Sequence, residues 1–186
     1  MLTRRGFITA AASLVLTDSL AEVPVRLFGK YGRELDNPPM PSHWRDIRRS
    51  IGRWDFCPFL KTTILNDITR VHDFVDSSIR EVRDNVIYGV EERWAFPGQV
   101  LDRMAGDCED HAILKWAFLH AMGYSDFVIA TVYDLSQKEG HAVLVHLSEN
   151  GNVVMDNLVR NPYYDHHKTG FIPQYAYGLS RNWSFL

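Results

Sequence analysis

The sequence predicts an α+β protein in which a central helix packs on an antiparallel β-sheet. Three observations carry this. Apolar residues recur at helical spacing between about Asn66 and Arg83, a second helix is framed by acidic residues at 107–110 and a glycine at 123, and three β-branched runs follow it. Helices first and strands afterwards is the segregated order of α+β proteins, not the alternation that builds a parallel sheet.

The chain opens with Arg4 and Arg5, continues through the apolar run Leu14-Val15-Leu16, and reaches small residues at Ser19 and Ala21. That is the three-part plan of an export signal, and paired arginines ahead of Gly6-Phe7-Ile8 resemble a twin-arginine signal. Residues 1–21 are therefore expected to be a leader, with 22–186 as one domain in the periplasm or otherwise outside the reducing cytoplasm. A basic amphipathic first helix is the competing reading. Val23 to Pro41, rich in Gly and Pro, reads as an extended or looped lead-in.

Ile68, Val71, Val75, Ile79 and Val82 form one stripe of the first helix; Arg70, Asp73, Asp76, Arg80 and Glu81 fall opposite, on a face expected to be solvated. Gly89 and Pro97-Gly98 mark a loop. The second helix should start at Asp107-Cys108-Glu109-Asp110 and stop near Met122, with Gly123 as its C-terminal signal. Its core face would hold Ala112, Ile113, Trp116 and Ala117. Phe127 to Tyr133, His141 to Leu147 and Asn152 to Asp156 then read as strands.

Composition narrows the function. With 186 residues, 46% hydrophobic, the chain can bury a real core. A net charge of −3 gives no electrostatic footprint for nucleic acid. Two cysteines, Cys57 and Cys108, are too few for a disulfide framework, and no run of about 18 apolar residues would span a bilayer. No organic cofactor is expected.

Cys108 follows Met104-Ala105-Gly106 and falls in the first turn of a helix, where backbone N–H groups and the helix dipole favour a thiolate. Gly106 permits a close backbone approach immediately before it. A buried structural cysteine would suit the same position. A thiol nucleophile needs an imidazole, and the imidazole an orienting carboxylate. His141 stands 33 residues later at the head of a strand, and Asp156 another 15 later near the end of the next. An Asn150-Gly151 hairpin would set His141 opposite Arg160, whereas a turn at Ser148-Glu149 would pair His141 with Asp156 directly. The second register is the one expected.

Gly106-Asp107-Cys108-Glu109-Asp110-His111-Ala112, Gly140-His141-Ala142-Val143-Leu144 and Val154-Met155-Asp156-Asn157 resemble the bacterial transglutaminase-like cysteine peptidases, the family of the LapG-type periplasmic proteases. Trp94, with Pro97 and Cys108 three and 14 positions on, resembles the segment before that family's nucleophile. The likeness spans about Trp94 to Leu158. It implies a papain- and transglutaminase-like fold, with Cys108 as nucleophile, His141 as general base and Asp156 as orienting acid. It also implies a protein or peptide substrate, a cell-surface adhesin in the better-known members, and control by an inner-membrane receptor. The same triad would serve a transglutaminase or small-peptide amidase, and the same fold a non-catalytic binding module. Trp94 offers an indole N–H to an oxyanion or a wall to the substrate, unless it is simply a packed tryptophan.

Asp107, Glu109 and Asp110 bracket the cysteine. Acids at a helix start are ordinary caps; oxygen-rich clusters also suit Ca²⁺, and the resemblance implies calcium at Asp107 and Glu109 with Asp110 beside them. His166-His167 lacks any zinc-like spacing and is expected at the surface. Cys57, between Phe56 and Pro58, reads as a packed thiol, and the C-terminal aromatics as groove-lining residues or pins for the tail.

Overall fold

The computed structural model describes residues 24–41 and 43–186, so the leader expected at 1–21 lies outside the described residues. The lead-in forms three two-residue strands, β1 (Arg26–Leu27), β2 (Lys30–Tyr31) and β3 (Arg33–Glu34). Phe28 and Gly29 both take positive φ, +47° and +83°, which is the two-residue turn that matches strand twist. Helices α1 (Trp44–Ile51) and α2 (Ile64–Ser78) follow, then strand β4 (Arg80–Glu81) and the short helices α3 (Asp84–Ile87) and α4 (Pro97–Arg103). Strand β5 (Ala105–Gly106) leads directly into α5 (Cys108–Ala121). The remainder is β6 (Phe127–Asp134), β7 (Glu139–His146), β8 (Val153–Met155), β9 (Tyr163–Tyr164), β10 (Phe171–Tyr177) and β11 (Asn182–Ser184).

The main sheet has seven antiparallel strands in the order β3-β11-β10-β6-β7-β8-β9, with α5 against β7. The mixed α+β architecture is therefore as expected from the sequence. Both faces of the sheet are covered, so its central strands read as apolar runs. Ile129 and Leu144 join the helices in one core; Val128, Ala130, Val143 and Val145, one position out of phase, join Leu27, Phe171 and Trp183 in the other. Trp44 packs between Trp94, Trp116 and Tyr177 at ring separations of 5.5, 6.1 and 5.7 Å. Tyr177, Trp183 and Phe185 are buried, which makes them pins for the C-terminal segment.

Four local expectations change. α2 stops at Ser78, because Ile79 turns extended and the chain joins β4, parallel to β5; Ile79 is still buried in the core just ahead of the strand, so the apolar stripe outlives the helix. Pro97 opens α4 where a loop was expected, suited to a first helical position by its missing N–H, while Gln99 accepts from the Phe96 N–H. Asp76, expected on the solvated face of α2, is turned onto α5, where Lys115 and His111 hold it. α5 itself is enclosed nearly all round, which a one-sided apolar face does not describe.

Candidate active site

Cys108 is the first residue of α5. Asp107 before it is extended, and its side chain makes no capping bond; the orphan N–H groups are thus not satisfied by the side-chain caps expected there. Gly106 is required by space: a Cβ on it would fall 2.5 Å from Asp110 Cβ and 2.7 Å from Asp110 Oδ2. The Cys108 thiol donates to Glu109 Oε2 at 3.2 Å, and its sulfur accepts from the Ala142 backbone N–H on β7.

His141 and Asp156 are buried, with His141 Nε2 2.9 Å from Asp156 Oδ1. Neither expected register produces this contact. β7 and β8 pair Leu144 with Met155 and Val145 with Val154; continued past Met155, that register sets Asp156 opposite Val143 and Leu158 opposite His141. Asp156 is thus a diagonal neighbour of His141, a spacing that long side chains cross. Asp156 Oδ1 also accepts from the Leu158 N–H at 3.0 Å, and Oδ2 from the Tyr163 hydroxyl at 3.1 Å. Burial would raise the Asp156 carboxyl, but His141 and these two donors outweigh it and hold it below the usual range.

Cys108, His141 and Trp94 line one cleft of about 800 Å³, together with Asp107, Glu109, Thr131, Gly140 and Ala142. Trp94 is only 2% exposed, and its indole N–H donates to Glu92 Oε1 at 2.9 Å. That donor is spent on Glu92, so the oxyanion reading of Trp94 gives way to a packed residue that borders the cleft.

The thiol departs from expectation. Burial first, then the Glu109 and Asp107 carboxylates, push Cys108 well above the ordinary thiol range. A dipole worth about half a charge at the helix start is smaller than two nearby carboxylates in a buried setting. Burial and the Asp107 and Glu92 charges raise Glu109 to about 10. Burial raises Asp110 to about 8, and burial with the Asp107 charge raises Asp84 to about 6.

These acids belong to a larger group than the three the sequence suggested. Asp84 from α3 joins Glu92 and Glu109 in one cluster, and Asp107 and Asp110 in another, with the ligand oxygens of each cluster within 4.8 Å of one another. Asp84 Oδ1, Asp107 Oδ1, Glu109 Oε1 and Asp110 Oδ2 are buried without a hydrogen-bond partner among the described residues. Converging, unsatisfied carboxylate oxygens are the donor set a hard divalent cation takes. Sequence spacing offered no sign of Asp84, at the start of α3, or of Glu92, in the segment between α3 and α4. Tyr163 was legible only as an aromatic. His166 and His167 are both exposed and meet edge to face, as expected of surface residues. Cys57 and Cys108 are both free thiols, and Cys57 packs against the first core.

A family model described as bacterial transglutaminase-like cysteine proteinase matches residues 55–183. Among solved structures, Legionella pneumophila LapG aligns at TM-score 0.61 and 20% identity in both its calcium-bound and its EGTA-treated form. The alignments cover 75% of this chain and 74% and 72% of those two chains. A likeness at that identity carries the fold. No curated protein matches the chain.

Proposed function

The chain belongs to the bacterial transglutaminase-like cysteine proteinases, and on that premise we propose that it is an exported peptidase cleaving a protein substrate with Cys108, His141 and Asp156. The observation that carries this reading is the 2.9 Å His141–Asp156 bond at the edge of a cleft that also holds the Cys108 thiol. Asp156 commits His141 Nε2, so Nδ1 is the nitrogen left to exchange a proton. His141 takes the Cys108 proton as the sulfur attacks the scissile carbonyl. The C–N bond then breaks as His141 returns that proton to the leaving amine. Water, deprotonated by His141, attacks the resulting thioester; the acid departs and Cys108 is restored. The Cys108 backbone N–H, at a helix start, is the first donor for the oxyanion.

Asp84, Glu92, Asp107, Glu109 and Asp110 would hold a calcium ion, as LapG does in its calcium-bound structure. Its charge would offset the carboxylates that raise the thiol. We place the substrate in the cleft that Cys108 and His141 line; a surface adhesin and a membrane receptor are the partners the family resemblance implies. Among the described residues no helix is long and apolar enough to cross a membrane.

The test is alkylation by iodoacetamide read by mass spectrometry, with calcium and with a chelator. Cys108 should react faster than Cys57 with calcium present, and Cys108→Ala should abolish cleavage. Labelling at Cys57 alone would overturn the assignment. Incorporation of a primary amine into protein glutamine, in place of hydrolysis, would assign the same triad to amine transfer.

A further inference from the structure

We propose that His72 is a positioning residue that fixes the loop carrying Asp156 against the nucleophile helix, an inference that rests on the triad reading above. His72 lies on α2 and is 1% exposed. Its Nε2 is 3.1 Å from the Val159 carbonyl oxygen, which can only accept, so Nε2 carries the proton. The Val159 N–H in turn donates to the Asp156 carbonyl at 3.1 Å and closes the turn that follows β8. One imidazole thereby tethers the turn whose first residue holds His141.

His72 Nδ1 lies 3.1 Å from Asp76 Oδ2, one helical turn along α2, without a hydrogen bond to it, because the ring proton sits on Nε2; the link to the nucleophile helix runs through α2 itself. Asp76 is clamped by two residues of α5, with Lys115 Nζ at 2.8 Å from Oδ2 and His111 Nδ1 at 2.7 Å from Oδ1. Lys115 is wholly buried, two helical turns beyond Cys108 on the same face. A buried ion pair does little for net stability, since desolvation offsets most of its attraction. What it provides is geometry, because neither charge can leave its partner. Asp76 therefore pins α2 to α5, and His72, one turn earlier on α2, hands that position on to the Asp156 turn. Besides this tether, Asp156 is located by the last pairs of a three-residue strand, by the Leu158 N–H of the turn and by the Tyr163 hydroxyl from β9.

Two substitutions separate this role from mere packing. His72→Gln places an amide nitrogen about where imidazole Nε2 lies and keeps the bond to Val159. His72→Asn ends one carbon short and loses it. In calcium buffer, with both variants folded by circular dichroism, the Cys108 alkylation rate of His72→Gln should stay within about twofold of the unaltered protein. The rate of His72→Asn should fall at least about tenfold, the scale on which small displacements of catalytic groups act. Equal rates in the two variants, whether both high or both low, would overturn the inference. Asp156→Asn run in parallel distinguishes the failures: if it leaves the rate unchanged, the triad reading itself is wrong. Should His72→Asn not fold, the histidine ¹⁵N spectrum of the unaltered protein and of Asp156→Asn decides. The His72 Nε2 proton should exchange at least about tenfold faster in the variant, because its acceptor turn is loosened; unchanged exchange would overturn the inference.

Discussion

Asp156 reaches His141 across the diagonal between β7 and β8, two positions away from the residue the strand register sets opposite it. The Leu158 N–H shares Oδ1 with the His141 ring, and the Tyr163 hydroxyl holds Oδ2, so both oxygens of the carboxylate are fixed. A diagonal pair has more freedom than a facing one, so the donors around Asp156 matter to the geometry as well as to its charge.

Asp156→Asn keeps the size of the side chain but removes the charge that stabilises imidazolium. Turnover should fall roughly 10³- to 10⁴-fold, with the thermal midpoint little changed. A loss of less than about tenfold in steady-state cleavage would remove Asp156 from the triad.

Tyr163→Phe leaves one oxygen of Asp156 without its donor. Stability should drop by about 1–2 kcal/mol in chemical denaturation, and cleavage should weaken mainly in kcat. An unchanged kcat would show that Leu158 and His141 suffice to hold the carboxylate.

Asp84 belongs to both acidic clusters, so Asp84→Asn should weaken calcium binding at least about tenfold in calorimetry, by removing one charge from the ligand set. In the unaltered protein, calcium at a hundred times its dissociation constant should add about 2.7 kcal/mol of stability. Equal affinity in Asp84→Asn would place the ion elsewhere.

The acids also set a pH dependence whose sign is opposite to that of an ordinary carboxylate. Burial and neighbouring charge hold Glu109 at about 10, and burial holds Asp110 at about 8, against roughly 4 in an unfolded chain. Between those limits the folded cation-free protein binds more protons than the unfolded one, so its stability falls as pH rises. The chelated protein should melt at a lower temperature at about pH 8 than at about pH 5, and calcium should remove most of that slope. A flat profile in chelator would contradict the buried acid cluster.

Gly106→Ala places a methyl group against Asp110 Cβ and Oδ2. Overpacking of this kind costs about 1–3 kcal/mol, visible in thermal unfolding, and it should slow Cys108 alkylation because Asp110 cannot move without disturbing the Ala95 N–H it accepts.

The sequence by itself determined three candidate groups for the site, Cys108, His141 and Asp156, and their order along the chain. Cys108 at a helix start, and His141 and Asp156 on strands with the same alternation, follow from capping and period-two chemistry, which are local. The stop at Gly123 is equally local, and it sits at φ +82° immediately beyond the end of α5. Tertiary structure decided the rest. The register between β7 and β8 came from packing on both sheet faces and differs by two residues from either turn-based expectation. Asp84, Glu92 and Tyr163 joined the site from segments that no spacing rule connects to Cys108. Asp76 left its solvated face because Lys115, enclosed in α5, needed a counter-charge. The thiol rose instead of falling because its proton affinity sums burial and every nearby charge, and that sum exists only once the chain has folded around it.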